Sequence, residues 1–130
     1  MQRKVTFQRE DARADLPYSP VVQADGVLYL SGQVPVDPST KQVVDGGILE
    51  QTRVALENVR ASLALAGATL DDVVKVNVYL TNMDGFADMN TVYREYFPQN
   101  PPARTTTGTS GLAHPSMLVE IDVVALAPTV

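Results

Sequence analysis

Near the end of the chain apolar and polar residues alternate, Leu118-Val119-Glu120-Ile121-Asp122-Val123-Val124. Period-two patterning of this kind belongs to a strand with two unlike faces. Val119, Ile121 and Val123 form one face, and Leu118, Glu120, Asp122 and Val124 form the other. Glu120 therefore shares its face with apolar neighbours on both sides. A carboxylate in that setting is either paired or used.

A second run stands just upstream. Arg104 follows Pro101-Pro102-Ala103 and opens a threonine-rich strand, Thr105 to Thr107. The two runs read as a closing hairpin, which would let a guanidinium and a carboxylate meet across a sheet. Two readings of that pair stand side by side. One is a cross-strand ion pair of small energetic worth. The other is a site in which the arginine clamps an anionic ligand and the glutamate handles protons or water.

Composition removes several classes of function. The chain has 130 residues, 45% of them apolar and 19% charged, which suits one globular domain spanning residues 1–130. Cysteine is absent and His114 is the single histidine, so thiolate nucleophiles and zinc sites of the usual kind are excluded. His114 precedes Pro115 and reads as a solvated loop residue. The formal net charge of -5 and the scattered Lys and Arg make nucleic acid a poor first partner. No apolar run reaches membrane-spanning length, and the start, MQRKVTFQRED, has no apolar core of a signal peptide. A cytoplasmic location is the expectation.

Along the chain, residues 3–8 read as a strand and 9–20 as an irregular polar segment. Val21–Ala24 and Val27–Leu30 form a hairpin about Asp25-Gly26, and Asp37 to Thr40 turns the chain towards Val43-Val44. A helix follows Gly46-Gly47, with Leu49, Thr52, Leu56, Val59, Leu63 and Ala66 as its stripe and Gly67 as its C-terminal cap. Val73 to Thr81 is a strand, with Val74, Val76, Val78 and Leu80 on one face. Asn82 caps a second helix whose stripe is Phe86, Met89, Asn90, Tyr93 and Phe97. Asn90, a polar amide on that face, either satisfies a backbone group or reaches a site. The resulting order, β-β-β-α-β-α-β-β, predicts an α+β fold with two helices on one face of a mixed sheet. Leu28, Leu30, Val119 or Ile121, and Val123 are expected on the opposite face, left apolar unless another subunit covers it, so a closed homo-oligomer is expected.

Several pieces in this order resemble one family. They are Pro17-Tyr18-Ser19, Leu30-Ser31-Gly32-Gln33-Val34-Pro35, Phe86-Ala87-x-x-Asn90-x-x-Tyr93, Phe97-Pro98, Pro102-Ala103-Arg104, and Leu118 to Ala125. Together they resemble the RidA (YjgF, or liver perchloric-acid-soluble protein) family of reactive imine and enamine deaminases. The resemblance implies a chorismate-mutase-like α+β fold and a homotrimer whose sheets pack into a central barrel, with clefts between neighbouring subunits. It also implies hydrolysis of 2-imino acids, of the 2-aminoacrylate type, to 2-keto acids and ammonia, with no metal and no organic cofactor. By resemblance, Arg104 binds the substrate carboxylate, through charge-assisted bonds worth about 1.5–3 kcal/mol. Glu120 positions or activates the attacking water. Tyr18, Ser31, Gly32 and Asn90 border the pocket.

Two departures stand out. Thr106 replaces a cysteine common in the family, so oxidative chemistry at that position is lost, and whether its hydroxyl meets the ligand is open. The loop from Gly108 to Ser116 is slightly longer than in the best-known members, which bears on substrate preference. Three alternatives remain beside the deaminase. One is a relative acting on another enamine, of pyrimidine breakdown or 2-aminomuconate type. Another is a non-catalytic module binding small carboxylates. The third is an endoribonuclease, which the acidic charge disfavours.

Overall fold

A computed structural model of the chain describes residues 3–10 and 15–129. Residues 11–14 of the polar segment expected over 9–20 lie outside the described residues, as do 1, 2 and 130. The elements in chain order are β1 (Lys4–Phe7), β2 (Val21–Ala24), β3 (Val27–Leu30), the small pair β4 (Val36–Asp37) and β5 (Gln42–Val43), α1 (Ile48–Leu65), β6 (Val73–Leu80), α2 (Phe86–Tyr96), β7 (Ala103–Gly108) and β8 (Val119–Leu126). Apart from the β4–β5 pair, the expected order holds, with two helices on one face of a mixed sheet.

The main sheet runs β1-β2-β3-β8-β6-β7. β6 lies antiparallel to β8 but parallel to β7, so α2 is the crossover that returns the chain to a parallel neighbour, as a βαβ connection requires. The expected closing hairpin of β7 and β8 does not form. The crossover leaves β7 on the far edge of the sheet, and the loop over residues 109–118 carries the chain back across β6 before β8 begins.

Both helices cover one face. Val21, Leu28, Val76, Val78, Leu80, Val119, Ile121 and Val123 are buried there against Leu56, Val59, Leu63, Met89 and Val92. Leu28, Leu30, Val119, Ile121 and Val123, expected on the uncovered face, thus belong to the helix-facing core. Alternation places the other set, Tyr29, Val124, Asp122, Glu120, Asn77 and Tyr79, on the open face. That face is apolar towards β3, where Tyr29 and Leu126 are about half exposed, and polar towards β6.

Local chemistry accounts for most boundaries. Asp25 and Gly26 both take positive φ, 50° and 81°, the tight two-residue turn the dipeptide predicts. Gly67 at φ 78° follows α1, with Gly67 N–H on Ala64 O and Ala68 N–H on Leu63 O, a Schellman end. Asn82 caps a short 3₁₀ turn, Met83–Gly85, that leads into α2. Val74 departs from the expected alternation. A bulge between Val73 and Lys75 shifts the register, so Val73 is buried and Val74 is exposed. Leu49 also leaves the expected stripe and is exposed, because the buried face of α1 is turned towards Gln51, Ala55, Asn58 and Ser62.

Gly67→Ala is expected to destabilise the fold by about 1–2 kcal/mol, since a β-carbon disfavours the left-handed conformation. The check is a lower urea midpoint at unchanged m-value. An unchanged midpoint would contradict this account of the helix end.

Candidate functional site

The residues singled out in the sequence fall into two groups. The first lies where β3 leaves the sheet. Ser31 N–H bonds to Pro20 O (3.0 Å) and Ser31 Oγ donates to Ser19 O (2.7 Å), which ties the loop to the segment carrying Tyr18. Gln33 exchanges two backbone bonds with Ile121, at 2.7 and 3.0 Å, extending the pairing of β3 with β8 past an irregular step at Ser31-Gly32. Gly32 consequently lies directly on the Glu120 side chain. A β-carbon there would overlap Glu120 Oε2 unless that side chain moved aside, so glycine lets the carboxylate lie against the backbone. Tyr18, just over half exposed, lines the same cavity as Ser31 and Gly32.

Glu120 stands on the open face opposite Tyr79, with Asn77 and Asp122 as the next pair along and joined by a 2.9 Å hydrogen bond. Burial pushes the Glu120 carboxyl above its ordinary value, and the Asp122 charge pushes the same way. Burial, then Asp122, raises Tyr79 as well. The arrangement is a half-buried carboxyl that holds a proton more readily than a solvated one.

The second group lies under α2 at the opposite edge. Arg104 aligns with Val76 and Thr106 with Val78, so both point to the helix-covered face. The Arg104 guanidinium carbon sits 4.6 Å from the Tyr93 ring centroid and 5.7 Å from that of Phe86, with Met89 Sδ 4.0 Å from Nη1. Two aromatic faces hold the cation, a contact worth about 0.5–2 kcal/mol depending on desolvation. Tyr93 is buried, and neither its hydroxyl nor Thr106 Oγ1 has a partner among the described residues. Burial pushes Tyr93 up to about 12 against the opposing pull of Arg104, so it stays neutral. Asn90 lies on α2 between Phe86 and Tyr93, half-buried.

Arg104 and Glu120 therefore do not meet within one chain. β6 intervenes, and the registers set Glu120 level with Tyr79 and Thr107, three residues beyond Arg104. Two strand spacings across and three residues along place their backbones on the order of 14 Å apart. They also point to opposite faces. The expected meeting of this pair across adjacent strands is overturned by the crossover topology.

Three buried residues escaped notice in the sequence. Gln51 Nε2 donates to Ser116 O (2.8 Å) while its Oε1 accepts from Leu118 N–H (2.7 Å). Asn58 Nδ2 donates to Val34 O and Val36 O, both at 2.9 Å. Ser62 Oγ donates to Gln33 Oε1 (3.2 Å). With Ala55 they recur at intervals of four, three and four, a helical stripe beside the apolar one, and that spacing was the available signal. Among the described residues, no group of three or more His, Cys, Asp or Glu could hold a metal ion. No helix among them is long and apolar enough to cross a membrane.

A mixed sheet roofed by two helices, with polar clusters at its two margins, defines a small α+β protein of a known type. Residues 9–127 match the family model described as Endoribonuclease L-PSP. A RutC family protein of Pyrococcus horikoshii is 43% identical over 123 residues, covering 95% of this chain and 97% of that one. The mouse 2-iminobutanoate/2-iminopropanoate deaminase is 40% identical over 124 residues, covering 95% and 91%. The crystal structure of a Rid family protein from Yersinia pestis superposes with a TM-score of 0.88 at 37% identity, covering 95% and 99%. The chain belongs to the RidA (YjgF) family.

The raised Glu120 carboxyl sets a pH-dependent cost. Its folded value lies above the unfolded value, so the folded state binds this proton more tightly, and ionised Glu120 lowers stability as pH rises. Glu120→Gln is expected to raise the melting temperature at pH 7, with the gain shrinking as pH falls through the raised folded value towards the ordinary 4.5 and gone below it. A lower melting temperature at pH 7 would contradict it.

Proposed function

We propose that the protein hydrolyses small 2-imino acids to 2-keto acids and ammonia, in sites completed between copies of the chain in a closed homo-oligomer, most simply a trimer. The observation that carries this reading is the division of the chemistry. A carboxylate-binding cation with an aromatic platform lies at one sheet margin, and a proton-handling carboxyl beside a glycine-lined cavity lies at the other. Each half lacks what the other holds. The apolar part of the open face, Tyr29, Val124 and Leu126, supplies surface for another copy to cover.

In the assembled site Arg104 of one copy binds the substrate carboxylate, its fork matching two oxygens. Asn90 and Thr106 flank it. The neighbouring copy brings Glu120, Gly32, Ser31 and Tyr18 to the iminium carbon. Water adds to that carbon as Glu120 takes its proton, giving a carbinolamine. Proton transfer to nitrogen lets the C–N bond break while the remaining hydroxyl oxygen becomes the ketone. The balance is one iminium acid and one water to one keto acid and ammonium. An iminium is already electrophilic, so positioning and one proton shuttle suffice, and the mechanism assigns no step to a metal or organic cofactor.

The family description raises RNA cleavage as a second activity. A chain of net charge -5, with Glu120 and Asp122 on the same open face, repels a phosphate backbone. The small-carboxylate reading is the better fit.

The test generates 2-imino acids with an amino-acid oxidase and traps the remainder with semicarbazide. Wild type is expected to suppress semicarbazone formation, and Arg104→Ala to lose at least about a hundredfold in rate at unchanged fold, as for loss of a charged anchor. Wild-type turnover retained by the folded mutant, or no wild-type turnover, would overturn the proposal.

A further inference from the structure

We propose that the cavity beneath the β4–β5 hairpin is a subsite for the substrate side chain and selects 2-imino acids with an extended apolar chain. This rests on the deaminase reading above. The cavity, about 320 Å³, begins at Tyr18, Ser31 and Gly32 and runs under Val34, Val36 and Pro38. It thus opens from the residue on which Glu120 lies, where the reacting carbon would sit. Its size is at the low end of small-ligand pockets, about 300–1,000 Å³, and exceeds what a methyl or hydroxymethyl group needs.

The chemistry of the walls points to an apolar occupant. Leu16, Pro20, Val34, Val36 and Pro38 supply carbon. Of the polar residues that also line it, Asn58, Gln33 and Ser31 have committed side-chain atoms to the protein, and Arg9, Tyr18 and Lys41 line it as well. Asn58 Nδ2 is shared between Val34 O and Val36 O, and its Oδ1 accepts from Arg9 Nη1 at 3.3 Å. Gln33 Nε2 donates to Ser31 O at 2.9 Å and its Oε1 accepts from Ser62 Oγ. Ser31 Oγ donates to Ser19 O. Beside Asn58, Gln33 and Ser31 a polar side chain would compete with bonds already made, whereas methylenes against Leu16, Pro20, Val34, Val36 and Pro38 would replace water at no such cost. The hairpin wall is itself held by Asn58, so the cavity is preformed.

The subsite predicts a chain-length dependence. Each added methylene should raise kcat/KM about fourfold, the equivalent of about 0.8 kcal/mol, mainly through KM. The experiment compares imines made from alanine, norvaline and norleucine on wild type and on Val36→Phe, which fills the cavity at a half-exposed position away from Arg104 and Glu120. Val36→Phe should cost the norleucine imine about tenfold or more and leave the alanine imine within about twofold. Val34→Met, a milder filling, gives the same ordering if Val36→Phe proves poorly folded.

Equal losses on all three imines, or a flat wild-type profile, would overturn the subsite. Calorimetric binding of the matching 2-keto acids separates its failure from that of the deaminase reading. With no imine turned over, keto-acid affinity that rises with chain length in wild type and levels off in Val36→Phe still supports the subsite. Affinity independent of chain length contradicts it.

Discussion

The insertion of β6 between β8 and β7 sets both the core and the placement of the charged residues. That position gives the sheet its mixed character, antiparallel on one side of β6 and parallel on the other. Val76, Val78 and Leu80 are fully buried under the helices, so β6 is fixed in register by burial of one face. The same register decides where the charged residues go. Glu120 pairs opposite an outward residue, Tyr79, and Arg104 lies beside an inward one, Val76. A one-residue slip of either neighbour would exchange those faces. The separation of the two groups thus follows from packing the core.

Helix α1 extends that control to the irregular segments. Its apolar stripe packs on the sheet, while Gln51, Asn58 and Ser62 on the adjoining stripe hold the segment before β8, the β4 strand and the Gln33 amide. These polar residues are all buried, and an unmet polar group there would cost about 1–3 kcal/mol. Satisfying them demands that the loops occupy one position. In this way the backbone around Ser31-Gly32, the wall of the cavity and the start of β8 are fixed by a single helix. Arg104 is held differently, by the rings of Tyr93 and Phe86, which orient a cation without consuming its hydrogen-bond donors.

Much of this was legible in the chain. The period-two run at Leu118–Val124, the Asp25-Gly26 turn and the Gly67 helix end each follow from local chemistry, and each stands as expected. The pairing partners were less legible. Nothing local to Arg104 or Glu120 reports that β6 comes between them, because strand order is set by the crossover through α2. The same gap put Leu28 and Ile121 on the wrong face, since alternation separates two faces without saying which one the helices cover. Val74 was misplaced by a bulge, which a purely alternating pattern hides. Among the candidate site residues, Tyr18, Ser31 and Gly32 gather at one margin with Glu120, and Asn90, Arg104 and Thr106 at the other. Their division within one chain follows from strand order, which no local pattern around these residues reports.

On the proposed reading, the two margins of one chain complete each other across copies. Complementation between two inactive variants tests it most directly. Arg104→Ala and Glu120→Gln would each be purified, then unfolded and refolded together in equal amounts. Random mixing gives one interface in four an intact Arg104 facing an intact Glu120, so imine hydrolysis should return to about a quarter of the wild-type rate, with each variant alone remaining inactive. A mixture as inactive as its components, in assemblies shown by mass to contain both chains, would contradict the account.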